Sequence, residues 1–360
     1  MDKNTEVLFE LLSFALGKKA EPLYNKEEVI WKEVMALSFK YEVPALVFDG
    51  YQLIYQQQDL PTMNKIVLMK WLGQTLSLEN QFQRQFESAK QLSELFWFHK
   101  LRTYVLKGFS IAQCYPVPSH RFSCDFDCFV VKKRLSSEFK NAQEESDRLI
   151  EHSGVKVDRS YYKNSSFNFE GLHVENHRYC CSIKRGERTK KLEIFLEGML
   201  NEVEAECIEG TRITLPPLMF QAVFLVEHAC AHFLYEKMSL KNICDWAMFR
   251  KCHQKQLEWE EFDNVCERFG LQSFAKTLGN LADFVLGDVT YESLDAIDKK
   301  VLEDTLKDVK LPKSLFSQRI KKGKDVMMSR WKFRHFNKDS MIKELSYSIW
   351  AYVFKKKNLL

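Results

Sequence analysis

Apolar residues in the first hundred positions recur at helical spacing. Val7, Leu8, Leu11, Leu12 and Ala15 form one such face, and Val29, Ile30, Val34 and Leu37 form another. Tyr41-Glu42-Val43-Pro44 predicts a helix boundary, since proline restrains the residue before it and cannot continue a helix from behind. From 63 to 98, Leu68, Leu72, Leu76, Phe82, Phe86 and Leu92 interleave with Gln and Glu, which predicts one or two long helices with only Gly73 as a breaker. The period then changes. Thr103-Tyr104-Val105 reads as a short strand that breaks at Gly108 into a helical stretch from Phe109 to Tyr115. Pro116 and Pro118 impose an irregular loop, and strict alternation follows. Cys124, Phe126, Cys128 and Val130 point to a core, which leaves Asp125 and Asp127 together on the other face.

Downstream, an amphipathic helix is expected over 135–153, closing at Gly154. Strands are expected over 155–162, 167–169 and 172–179, with turns at Lys163-Asn164 and Glu170-Gly171. The last of these strands places His173, Glu175 and His177 on one face. From about 184 the text is helical again. Leu192, Phe195, Leu196, Met199 and Val203 describe one helix, and Pro216-Pro217 opens a strongly apolar one through Tyr235. Further helices are expected over 258–269, 272–286 and 296–306, with aromatic, amphipathic ones around Trp331, Phe333 and Phe336 and over 342–354. The expected architecture is therefore α+β and predominantly helical. A helical region (1–100) precedes a small mixed sheet core (101–183), and a second helical region (184–360) carries a basic tail.

Composition narrows the class. Hydrophobic residues at 45% and charged ones at 28% are ordinary globular values and exclude wholesale disorder. On the reading that no apolar run reaches the roughly 18 residues a bilayer span requires, no membrane is expected. Acids inside the first apolar stretch argue against a secretory leader. Ten cysteines occur without a CxxC pair, so reduced thiols in the cytoplasm are expected and a zinc ribbon is not. Net charge is only +4, but residues 307–360 hold 15 basic and 4 acidic side chains. Such a tail suits nucleic acid, nucleotide phosphate or an acidic surface of the same protein.

Two carboxylates one strand repeat apart make a place for a hard divalent cation. A strand that turns into a helix at glycine presents backbone N–H groups on which phosphate can sit. On the helix after Pro217, Phe224, His228, His232 and Tyr235 share a side. The two histidines have zinc-ligand spacing but no evident third ligand, so they read either as satisfied core histidines or as an incomplete metal pair.

The order Leu106-Lys107-Gly108, Tyr115-Pro116, Arg121, Asp125-Phe126-Asp127 resembles the nucleotidyltransferase superfamily of the DNA polymerase β type. It is most similar to the uncharacterised nucleotidyltransferases within it. The likeness continues in Glu175-Asn176-His177 and in Leu240-Lys241-Asn242-Ile243-Cys244-Asp245-Trp246, covering roughly residues 100–250. The resemblance implies transfer of a nucleoside monophosphate from an NTP to an acceptor hydroxyl, assisted by Mg²⁺ or Mn²⁺. It implies two ions held by Asp125 and Asp127, with Glu175 as third carboxylate. Lys107, Gly108, Arg121 and His177 would then bind nucleotide, and His228, His232, Lys241 and Asp245 would form a polar wall across the cleft. The acceptor, whether small molecule, protein or RNA, is not specified. One departure is Phe109, where the superfamily commonly has Ser or Gly after the glycine. That departure points to a rival outcome, a nucleotide-binding or partner-binding module without turnover. A hydrolase using water as acceptor on the same acids is a further one.

Overall fold

The computed structural model describes residues 1–18, 29–55, 63–123, 125–132, 139–183, 186–200, 205–307 and 330–336. Cys124, Val203, the expected helix over 342–354 and most of the basic tail lie outside them. The chain opens with α1 (Lys3–Ala15), α2 (Trp31–Lys40) and α3 (Pro44–Tyr55). Asp2 caps α1 by accepting the Thr5 N–H at 3.1 Å. The expected boundary falls between Lys40 and Pro44, with Glu42 at φ 64.

Residues 65–98 form a single helix, α4 (Lys65–Phe98), capped by Asn64 and uninterrupted at Gly73. At 34 residues it is about 51 Å long, enough to serve two cores. Its first turns bury Trp71, whose indole donates to the Pro44 carbonyl at 3.0 Å. Its last turns bury Ala89, Leu92 and Phe96 behind the sheet.

The sheet has five strands: β1 (Leu101–Val105), β2 (Phe126–Lys132), β3 (Asn164–Phe169), β4 (Leu172–His177) and β5 (Ile213–Thr214). Their order is β3-β4-β2-β1-β5. β1 runs antiparallel to β2, β2 parallel to β4, and β3 and β4 form a hairpin. Its turn is Glu170-Gly171, at φ 47 and 80, the left-handed pair that matches strand twist. Phe126, Cys128, Val130 and Val174 point towards α4 and α6 (Phe139–His152), whereas Phe129, Val131 and Tyr104 join the helical core on the other face. Residues 155–162 are not a strand: only Asp158 bridges, to Ser166. There the Asp158 carboxylate takes the Ser160 N–H at 2.8 Å, a local turn that competes with a ladder.

Helices α7 (Glu187–Met199), α8 (Leu218–Tyr235), α9 (Leu240–Cys252), α10 (Trp259–Arg268), α11 (Gln272–Leu286), α12 (Ala296–Leu306) and α13 (Arg330–Phe336) complete the described chain. One helical core takes residues from α1 and α3 as well as from α8, α9 and α11, so the two helical regions close over each other. Contrary to the sequence reading, α8 has the length and hydropathy of a membrane span, 18 residues at mean hydropathy 1.3; 67% of it is buried inside the protein, as suits its place at the centre of that core.

Candidate active site

The acidic residues sit where the sheet's second face meets α8. Parallel pairing of β2 with β4 sets Asp127 abreast of Glu175 and Phe129 abreast of His177. Side chains two apart on a strand share a face, so Asp127, Glu175 and His177 converge. Their ligating atoms all lie within 4.8 Å of one another. Asp125 precedes the first paired residue of β2 and falls outside that trio, although its charge reaches Lys107 and Arg121.

Asp127 is 2% exposed yet stays ionised. Burial pushes its carboxyl up, but Lys107 and His177 outweigh burial and hold it well below the usual carboxylate range. Lys107 Nζ stands 3.2 Å from Oδ2, and His177 Nε2 stands 3.0 Å from Oδ1. Among the described residues Oδ2 nevertheless has no hydrogen bond in its buried position, since Lys107 approaches at ion-pair distance without hydrogen-bond geometry. His177 also lies 3.6 Å from Glu175 Oε2, while its Nδ1 faces the Tyr179 carbonyl at 3.2 Å. Burial disfavours the imidazolium, but the two carboxylates raise its pKa above the ordinary value. Glu175 is held low by His177 against burial, and Asp125 is raised by burial and by the Asp127 charge.

A histidine chain leads away from this cluster. Lys107 Nζ is 3.3 Å from His228 Nε2, which is 3.1 Å from His232 Nε2; His232 Nδ1 meets Glu236 at 3.0 Å. Burial and the adjacent Lys107 charge push His228 far down, so it is neutral. Arg121 and Asp245 are brought together 124 residues apart in sequence: Nε and Nη2 each donate to one carboxylate oxygen at 2.7 Å, and Tyr115 donates to the same carboxylate at 2.8 Å. Lys241 lies over the Phe122 ring at 5.6 Å and 3.4 Å from Glu42. Gly108 adopts φ 74, and the four-residue helix α5 (Phe109–Ala112) follows it. Phe109 is buried against Phe82, Phe86 and Phe126, and Tyr115 is buried on Asp245, so neither is an open stacking platform for a base.

One anchor escaped the sequence reading. His120 bridges Asp49 of α3 and Glu79 of α4, each at 2.7 Å, and so fixes the loop that presents Arg121. Its partners lie 71 and 41 residues away, and no local pattern marks them.

The mixed sheet thus carries carboxylates abreast on its central strands, faced by a basic and histidine-bearing helical layer. The family model described as uncharacterised nucleotidyltransferase matches residues 27–287, and the chain belongs to that family. Neither the curated proteins nor the solved structures give a match.

Proposed function

We propose that the protein transfers a nucleoside monophosphate from an NTP to an acceptor hydroxyl, with Mg²⁺ or Mn²⁺ held by Asp127, Glu175 and Asp125. The observation that carries this reading is the pairing of Asp127 with Glu175 on adjacent strands while Asp127 Oδ2 stays buried without a hydrogen bond. An oxygen-rich donor set whose buried anionic oxygen is met only by an ion pair with Lys107 among the described residues suits a hard cation. When bound, the ion would stabilise charge developing on the transferring phosphoryl group.

The chain's own residues do the rest. Lys107 brings a point charge to the triphosphate, and the Gly108 turn offers backbone N–H groups. His177, as imidazolium, orients both Asp127 and Glu175. The acceptor oxygen attacks the α-phosphorus and pyrophosphate leaves. Glu175 takes the hydroxyl proton. Reaction in the cytoplasm, where the thiols stay reduced, and contact of the basic tail with an acidic partner or nucleic acid belong to the same proposal.

A second reading, nucleotide binding without turnover, is favoured by one observation: Arg121 commits its fork to Asp245. Pyrophosphate release measured with each of the four NTPs, Mg²⁺ or Mn²⁺ and a panel of metabolites and RNAs separates the two. Turnover lost in Asp127→Asn supports transfer. NTP binding by calorimetry with no pyrophosphate under any condition supports the module.

A further inference from the structure

Beside Tyr115 in sequence, a second group of ligating atoms assembles. Cys114 follows α5, Cys252 is the last residue of α9, and His253 is the C-cap of α9. Their two sulfurs and one imidazole nitrogen lie within 4.8 Å of one another, with Cys114 Sγ 3.5 Å from His253 Nε2. Tetrahedral zinc, with Zn–S of about 2.3 Å and Zn–N of about 2.0 Å, sets neighbouring sulfur and nitrogen about 3.5 Å apart. The observed sulfur–nitrogen spacing matches that edge, and the other two edges lie within 4.8 Å.

The imidazole is also oriented for ligation. Its Nδ1 faces the Gln256 carboxamide oxygen at 2.7 Å, which fixes the proton there and leaves the Nε2 lone pair towards the sulfurs. The group opens onto a cavity of about 270 Å³ that Ser110 and Glu206 also line. Ser110 is 4% exposed and its hydroxyl has no hydrogen-bond partner among the described residues, an unusual state for a buried hydroxyl and one that points to a polar occupant.

We propose that Cys114, Cys252 and His253 bind one zinc-class cation, whose fourth position opens onto this cavity and takes water or a small polar ligand within reach of Ser110. Two thiolates and an imidazole select a borderline-soft ion, whereas the oxygen-rich cluster on β2 and β4 selects a hard one. Binding releases the two thiol protons. The ion clips the segment after Gly108 to the end of α9, the helix whose Asp245 holds Arg121 and Tyr115. The site does not depend on the transferase reading.

The test uses the reduced, full-length protein titrated with Co²⁺. One equivalent should give thiolate-to-cobalt charge-transfer absorption that Zn²⁺ displaces. The band should fall at least about tenfold in Cys114→Ser and in Cys252→Ser, and persist in Asp127→Asn, whose cluster contains no sulfur. No band in the wild type, or an undiminished band in both serine variants, overturns the proposal. Should the serine variants misfold, alkylation of the wild type decides: Zn²⁺ should protect Cys114 and Cys252 selectively, and equal labelling with and without Zn²⁺ contradicts the site.

Discussion

Strand β4 carries two polar clusters on opposite faces, and they are built by different rules. Under α6, Asp147 accepts from Ser165 at 2.7 Å and Asn176 at 2.9 Å, and Arg159 reaches its second oxygen at 3.2 Å. Gln143 and Ser146 close the network through Ser165 and Asn176 at 2.9 Å each. Neither oxygen of Asp147 lacks a partner. On the other face, one residue before and one after Asn176, Glu175 and His177 join Asp127, whose charge is balanced by Lys107 and His177 while Oδ2 lacks a hydrogen bond. A closed network fixes the strand. An ionised, incompletely satisfied one stores an affinity for something the chain does not supply.

Substitutions on the two faces should therefore behave differently. Asp127→Asn should lower nucleotide transfer by at least about 10³-fold, the several kcal/mol a metal clamp contributes, with far-ultraviolet dichroism unchanged. Asp147→Ala should leave transfer within about threefold of wild type but lower stability by about 1–3 kcal/mol in urea, because Ser165 and Asn176 lose their acceptor. Similar losses of activity in both variants would erase the distinction.

Arg121→Lys should lower stability by about 1–2 kcal/mol through loss of the bidentate pair with Asp245, while nucleotide affinity by calorimetry stays within about threefold. A loss of affinity of tenfold or more would move Arg121 from scaffold to ligand binding. The smallest effect concerns pH. His120 and His177 have pKa values raised from 6.5 by their carboxylates. Their stabilisation is complete below 6.5 and is lost as pH rises through the elevated folded values. Asp127 acts in the opposite sense, its contribution present above 3.8 and lost as pH falls through its depressed value. The urea midpoint should fall as pH rises above 6.5, and less steeply in His120→Asn.

Local patterns made much of this legible in the text. The period-two run through β2, the Glu170-Gly171 turn, and the helices Gln272–Leu286 and Ala296–Leu306 each depend on neighbours in sequence. Where side-chain chemistry competes with periodicity, the pattern misleads, as at Asp158. Partnerships across the chain leave no periodic trace. Arg121 with Asp245, His120 with Asp49 and Glu79, and Lys107 with Asp127 emerge only when sheet and helices are packed. The abreast position of Asp127 and Glu175 likewise follows from strand register, which sequence alone does not fix.

The most direct measurement is Mn²⁺ binding followed by electron paramagnetic resonance of the free ion in the presence of an NTP. Wild type and Asp147→Asn should take up Mn²⁺ alike, whereas Asp127→Asn and Glu175→Gln should bind it at least about tenfold more weakly. Equal uptake by wild type and Asp127→Asn would contradict the assignment of the ion to the paired strands.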